Sequence, residues 1–269
     1  MNDRVTPSSD QTREFPWWLL AAVAIGGYLL YRVVADDLYA RVLTTLSKGI
    51  GITVFVTLVA FALAMLVGLL LAVASLSRFT LLRQLARFYI EIIRGVPILV
   101  LLLYVAFVVA PGLVTAANWA LERVGLDPIR TRDFSLMWRA IIALMIGYSA
   151  FIAEVFRAGL LAVEKGQVEA AEALGLNGWL RFRLVIFPQA IRTIMPPLGN
   201  DFIAMIKDSS LVSVLGVTDI TQLGKVTAAG NFRYFETYNV VALIYLIMTI
   251  SLSLALRRLE QRMRAKYVA

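Results

Sequence analysis

An all-α integral membrane protein is the fold class this sequence predicts, and three observations carry it. Of 269 residues, 60% are apolar and only 16% charged, against roughly 45–50% and 25% in soluble domains. Mean hydropathy is +0.78. Apolar stretches recur at the length a helix needs to cross a bilayer, about 20 residues at 1.5 Å rise each. The chain has neither Cys nor His, which excludes thiol and imidazole nucleophiles, zinc sites with N/S ligands, His-ligated haem and disulfide frameworks.

Six stretches have spanning length. The first, 16–34, places Trp17 and Trp18 near one end and Tyr28 and Tyr31 near the other, where amphipathic rings favour the membrane interface. Its charged lead and Val33-Val34-Ala35 also fit a cleaved signal peptide, against which stand the length of the apolar stretch and the preceding Asp3, Asp10 and Glu14. The second, 49–77, carries Ala60, Ala64, Gly68 and Ala72 at intervals of four, a small-residue face that permits close helix approach. The third covers 90–119. The fourth, Leu136–Leu161, holds Tyr148 and Ser149 near its centre and Glu154 and Arg157 at a spacing that lets them pair on one face. The fifth, 190–206, is interrupted by Pro196, Pro197, Gly199, Asn200 and Asp201, so it is expected to bend or break and to free backbone carbonyls. The sixth runs over 237–256.

Charge between these spans alternates. With the N-terminus inside, the inward segments hold sixteen of the 26 basic residues, including Arg78, Arg83, Arg87, Arg94, Arg157, Lys165, Arg181, Arg183 and Arg192. The outward segments hold the other ten beside nine acids. This is the positive-inside pattern and puts the C-terminus in the cytoplasm. The net charge of +8 therefore reports topology, and a nucleic-acid ligand is not indicated. No repeat relates the two halves, which weakens a carrier built on inverted repeats.

Between the fourth and fifth spans lies an inward stretch unlike a simple loop. Residues 167–174 are rich in helix formers, Gly175 stands where a helix stops, and Asn177-Gly178 reads as a turn. So short a helix is unstable alone in water and must pack on something. Val168, Ala171 and Leu174 share a face flanked by Glu169 and Glu172, and Trp179, Phe182 and Ile186 form a second apolar stripe. Periodicity leaves two readings open, packing on this chain's own helices or docking into a partner.

Glu169-Ala170-Ala171, Gly175 and Ile186-Phe187-Pro188 resemble the EAA loop of permease subunits of ABC importers. Glu91-Ile-Ile-Arg94-Gly95-Val96-Pro97, Ala153-Glu154, Arg157-Ala-Gly159, Lys165-Gly166-Gln167, Pro196-Pro197-Leu-Gly199-Asn200 and Lys207-Asp208-Ser209-Ser210-Leu211 resemble the polar amino acid branch of that family. The likeness covers residues 45–258 and rests on several ordered motifs. Phe187 stands where the family often has Leu.

The resemblance implies a five-helix type I permease core over 45–258, with the loop at 162–188, preceded by an extension of one transmembrane helix (1–44) and followed by a basic cytoplasmic tail (259–269). It implies that Glu169, Ala170, Ala171, Leu174, Gly175 and Pro188 form the coupling element on a cytoplasmic ATPase. It further implies a second permease subunit, identical or a sister chain, two ATPase subunits, an extracytoplasmic solute-binding protein and location in a bacterial inner membrane. ATP and Mg would bind the ATPase, since this chain has no phosphate-binding loop: its one Gly-Lys pair, Gly224-Lys225, lacks the following Ser or Thr.

Ionisable groups at membrane depth are functional candidates by default. An amino acid presents an ammonium and a carboxylate, and Asn200, Asp201, Lys207, Asp208 and Ser209 supply acceptors and donors for a pathway, with Tyr148, mid-membrane in the fourth span, a further candidate. The alternative is that Lys207 and Asp208 form an outer-interface ion pair that orders the bend. No general acid/base constellation accompanies these groups, and neither a metal site nor a catalytic residue is expected. The expected function is alternating-access import of polar amino acids; a stand-alone secondary transporter or channel is the competing reading.

Overall fold

The computed structural model describes residues 17–265, and those residues are helical with short connections and no strand. The leading segment with Arg4 and Arg13, and Lys266 of the tail, lie outside the described residues. The chain begins with α1 (Trp17–Ala35), α2 (Asp37–Ser47) and α3 (Ile50–Ser75). Next come α4 (Thr80–Gly95), α5 (Ile98–Tyr104), a π-helical segment Val105–Val109 and α6 (Ala110–Arg123). Helix α7 (Leu136–Leu161) leads to α8 (Lys165–Ala173), α9 (Gly178–Arg181), a second π segment Phe182–Ile186 and α10 (Phe187–Asp208). A 3₁₀ segment Ser209–Leu215, α11 (Ile220–Asn231) and α12 (Tyr234–Ala265) complete the fold.

By length and composition, four stretches among the described residues can cross a membrane: Asp37–Ser75, Ile98–Arg123, Leu136–Leu161 and Tyr234–Gln261. Val23–Ala35 is a shorter apolar helix. The third span differs from its expected 90–119. Pro97 disfavours helical geometry at the residue before it, Val96 is extended at φ −99° and ψ 129°, and the helix breaks there. Residues 90–95 therefore close α4, an amphipathic helix, and the span starts at Ile98.

The expected break at Pro196-Pro197 is also absent. Helix α10 runs through both prolines and ends twelve residues after Pro196, at Asp208. Proline fixes φ at a helical value and only the bonds back to residues four earlier are lost. Those residues, Arg192 and Thr193, lie on the exposed side of the helix. Irregular backbone appears instead at Ser209–Leu215.

Each π segment ends two residues before a proline, Val109 before Pro111 and Ile186 before Pro188. A proline ring clashes with the carbonyl four residues earlier, and a wider turn there relieves the clash. The second π segment also corrects the expected stripe. The extra residue moves Ile186 onto the main core, and the aromatic line becomes Trp179, Phe182 and Phe187, with ring centroids 6.2 and 5.9 Å apart.

Two cores hold the bundle. The larger is built from α3, α5, α7, α10 and the 3₁₀ segment, around Leu102, Ile141, Leu144, Ile152, Met205 and Val212. The four-residue stripe of α3 makes its closest seam: Ala60, Ala64 and Ala72 are fully buried, and a Cβ on Gly68 would lie 2.8 Å from Ile152 Cγ2 and 3.0 Å from the Ser149 carbonyl. The smaller core joins α2 (Tyr39, Val42, Leu46) to α11 and α12 (Ile220, Val240, Val241, Ile244). The expected boundary at residue 44 falls inside α2. Helix α1 touches α2 and α12, with Arg32 paired to Asp36 at 2.8 Å and lying over the Tyr39 ring.

Candidate functional site

Two sites follow from this frame, one at the end of the bundle that carries α8 and one at the middle of α7.

Helix α8 spans Lys165–Ala173, two residues earlier at its start than expected, and ends as expected at glycine. Gly175 adopts φ +75°, the left-handed conformation that glycine takes without a Cβ penalty. The Gly175 N–H donates to the Glu172 carbonyl at 2.9 Å and the Leu176 N–H to the Ala171 carbonyl at 3.1 Å, the paired bonds of a Schellman stop. The Asn177 side chain then caps α9, accepting from the Leu180 N–H at 2.9 Å, and Arg181 reaches back to Glu172 at 3.1 Å. The expected turn at Asn177-Gly178 is thus a helix start.

The supposed single apolar face of α8 divides. Ala171 is buried and Val168 packs on the main core. Leu174 is 80% exposed, and Glu169, Ala170 and Ala173 are exposed too. Self-packing therefore accounts for one side of the helix and leaves the other side open. Trp179, 67% exposed, continues the open surface, while Pro188 sits behind the π segment and sets the entry of α10.

At the middle of α7, the Tyr148 hydroxyl donates to Asp208 Oδ2 at 2.8 Å. Tyr148 is the thirteenth residue of the 26 in that helix, so the bond places Asp208 beside the middle of α7. Asp201, two turns back on α10, lies within electrostatic reach of Tyr148, and its Oδ2 is buried with no hydrogen-bond partner among the described residues. Ser209 is fully buried and donates to the Ile206 carbonyl at 2.7 Å, closing its own helix end.

The alternative considered for Lys207 and Asp208, an ion pair between them, does not form. Lys207 is exposed on the chain, and the ion pairs among the described residues join Arg32–Asp36, Glu154–Arg157, Glu172–Arg181 and Arg233–Glu236. An aspartate held by a tyrosine has no need of its sequence neighbour, whose side chain leaves the helix on a different bearing. Asn200 is likewise separate from the Tyr148–Asp208 pair. It faces α12 across a cleft of about 200 Å³ shared with Pro196, Ile203, Ser253, Arg257 and Glu260. Glu154 and Arg157 do pair, at 2.6 Å.

Sequence reasoning missed two polar fixtures. Buried Arg139 donates to the carbonyls of Phe134 (2.9 Å), Ala106 (3.0 Å) and Thr131, pinning the connection after α6 to the first π segment. Tyr89 of α4 reaches Ser149 Oγ at 2.9 Å and the Ile146 carbonyl at 3.2 Å. An arginine inside a span's first turn was the available signal for the one; only tertiary contact reveals the other. Among the described residues no group of His, Cys, Asp and Glu could hold a metal ion.

Comparison with known proteins gives a consistent family. Residues 64–265 match the model of the binding-protein-dependent transport system inner membrane component. The glutamine transport system permease protein GlnP of Escherichia coli (strain K12) is 38% identical over 219 residues, 81% of this chain and 93% of that protein. The probable amino-acid permease protein YxeN of Bacillus subtilis (strain 168) is 37% identical over 223 residues, 83% and 93% of the two chains. A crystal structure of an amino acid ABC transporter with histidines superposes with a TM-score of 0.67 at 36% identity, covering 81% of this chain and 94% of that one. An inward-facing methionine ABC transporter, MetNI, shares the fold at a TM-score of 0.62 and 21% identity. A chain with these spans, this glycine-stopped helix and these relatives belongs to the inner membrane component family of binding-protein-dependent transport systems, as an ABC transporter permease.

Proposed function

We propose that this chain forms the translocation pathway of an ATP-driven importer for polar amino acids. Two permease subunits, identical or paired with a sister chain, enclose the pathway in a bacterial inner membrane, with the C-terminus of each in the cytoplasm. An extracytoplasmic solute-binding protein delivers the amino acid, and two cytoplasmic ATPase subunits, which hold ATP and Mg, dock on α8. Closure of the ATPases moves the membrane helices between outward and inward access; this chain carries out no covalent step. Relatives named for glutamine and amino acid transport support the substrate class.

The observation that carries the reading is the divided face of α8. Its inner side is anchored by Val168 and Ala171, and its outer side, ending in exposed Leu174, is rigidly presented by the Gly175 stop and the Glu172–Arg181 pair. Force applied there passes across the turn at 174–177, held by the Glu172–Arg181 pair, and through the nine residues of α9 and the π segment into α10, which carries Asp201 and Asp208. Residues Glu169, Ala170, Leu174 and Gly175 meet the ATPase in this scheme, and Tyr148, Asp201, Lys207 and Asp208 line the solute route.

Purified permease in proteoliposomes should take up an amino acid only with the ATPase, the binding protein and ATP. Gly175→Trp should insert normally and fail to retain the ATPase on purification. Uptake by the permease alone under an ion gradient would show a secondary transporter instead, and full ATPase retention by Gly175→Trp would remove α8 as the coupling element.

A further inference from the structure

Helix α4 has three faces. Ala86, Ile90 and Ile93 pack inward, with Tyr89 beside them. Leu81, Leu85, Phe88 and Ile92, spaced as i, i+4, i+7 and i+11, form an exposed apolar face of the kind that meets lipid or another subunit. The third face holds Arg83, Arg87, Glu91 and Arg94, spaced as i, i+4, i+8 and i+11; Arg83 is tied to the Ser77 carbonyl at 3.1 Å and the others are exposed. An ordinary interfacial helix has two faces, one for lipid and one for water.

This charged stripe borders α7. Tyr89 bonds to Ile146 and Ser149 in the middle of α7, and the Arg94 guanidinium lies 5.8 Å from the centre of the Phe151 ring. Phe151 in turn stands 6.3 Å from Tyr148, whose hydroxyl holds Asp208. Arg87 and Arg94 also fall within electrostatic reach of Glu154, which is paired with Arg157. The charges of α4 thus lie beside the Phe151–Glu154 turn of α7, one turn of that helix beyond Tyr148. An Arg at the bilayer centre costs about 2.5–3.5 kcal/mol on insertion scales, and such groups turn toward the bundle interior or a water-filled cavity.

We propose that the charged face of α4 lines the inward half of the solute pathway, with Arg94 at its head receiving the carboxylate of the amino acid as it leaves the Tyr148–Asp208 level. The stripe has three arginines to one glutamate, an excess that suits a departing carboxylate, and Phe151 separates the two levels as a step between them. This inference rests on the transport function proposed above and adds a helix that the resemblance assigned only as a motif.

The chain has no cysteine, so single cysteines can be introduced without background. In the assembled transporter, a membrane-impermeant charged thiol reagent applied from the α8 side should modify Arg87→Cys, Glu91→Cys and Arg94→Cys and spare Leu85→Cys and Ile92→Cys. A stripe that stays unmodified, because it packs against the second subunit, overturns the proposal, as does equal modification of both faces. Arg94→Gln should raise the KM for uptake about tenfold, the loss of one charge-assisted hydrogen bond, with ATPase retention unchanged and recovery in Arg94→Lys; a wild-type KM in Arg94→Gln removes Arg94 from the pathway. Wild-type uptake without ATP would instead overturn the transport reading and leave the labelling pattern intact.

Discussion

Beside the middle of α7 a single hydrogen bond decides which polar residues act together. Tyr148 selects Asp208 from a run of four polar side chains, leaving Lys207 exposed and Ser209 spent on its own helix end. Asp208→Asn keeps the shape and an acceptor for the tyrosine but loses the charge. It should assemble normally and cut amino acid uptake severely, measured as initial rate in proteoliposomes. Tyr148→Phe leaves the carboxylate without its donor inside the bundle, which should lower stability by about 1–3 kcal/mol, read as a drop in the thermal midpoint of the purified complex. Wild-type transport by Asp208→Asn would make that aspartate a structural fixture.

At the scale of elements, small residues and prolines govern how helices meet. The α3–α7 seam closes because Gly68 lets backbone approach side chain, and no larger residue fits without displacing Ile152. Gly68→Leu should therefore destabilise the fold by about 1–3 kcal/mol through overpacking, visible as reduced yield of folded protein in detergent. Gly26→Leu on α1, where an added Cβ meets nothing within 4 Å, is the matched control and should leave the yield unchanged. Prolines act in two ways. Pro97 ends a helix because the residue before it turns extended, whereas Pro111 and Pro188 are accommodated by π turns and Pro196-Pro197 within a continuous helix. The sequence shows a proline in each case, and the neighbours choose the outcome.

For the whole molecule, α1 stands apart from the remainder. It touches only α2 and α12 to any extent, and most of the described side chains on it are exposed. The family match begins at residue 64. Removing residues 1–35 should leave insertion, subunit association and ATP-dependent uptake in place, measured by co-purification and transport. Loss of association would show that α1 steadies α2, whose Tyr39, Val42 and Leu46 do belong to a core.

Much of this protein is legible from composition and spacing, because a bilayer imposes its demands locally. An apolar run of the right length must be helical to satisfy its backbone, and a glycine after a short helix must stop it, so four of the six expected spans, the α8 helix and its Gly175 terminus are visible in one dimension. The Glu154–Arg157 pair was visible for the same reason, being a contact within one turn of helix. Contacts between distant segments are set by which helix faces meet, and no local rule contains them. Tertiary structure alone decided that Asp208 belongs with Tyr148 and Asn200 does not, that Arg139 is a buried strut, that α10 stays unbroken at its prolines, and that Arg94 of α4 lies over Phe151 of α7. A charge in the sequence is a cost to be met; only packing shows whether tyrosine, backbone or water meets it.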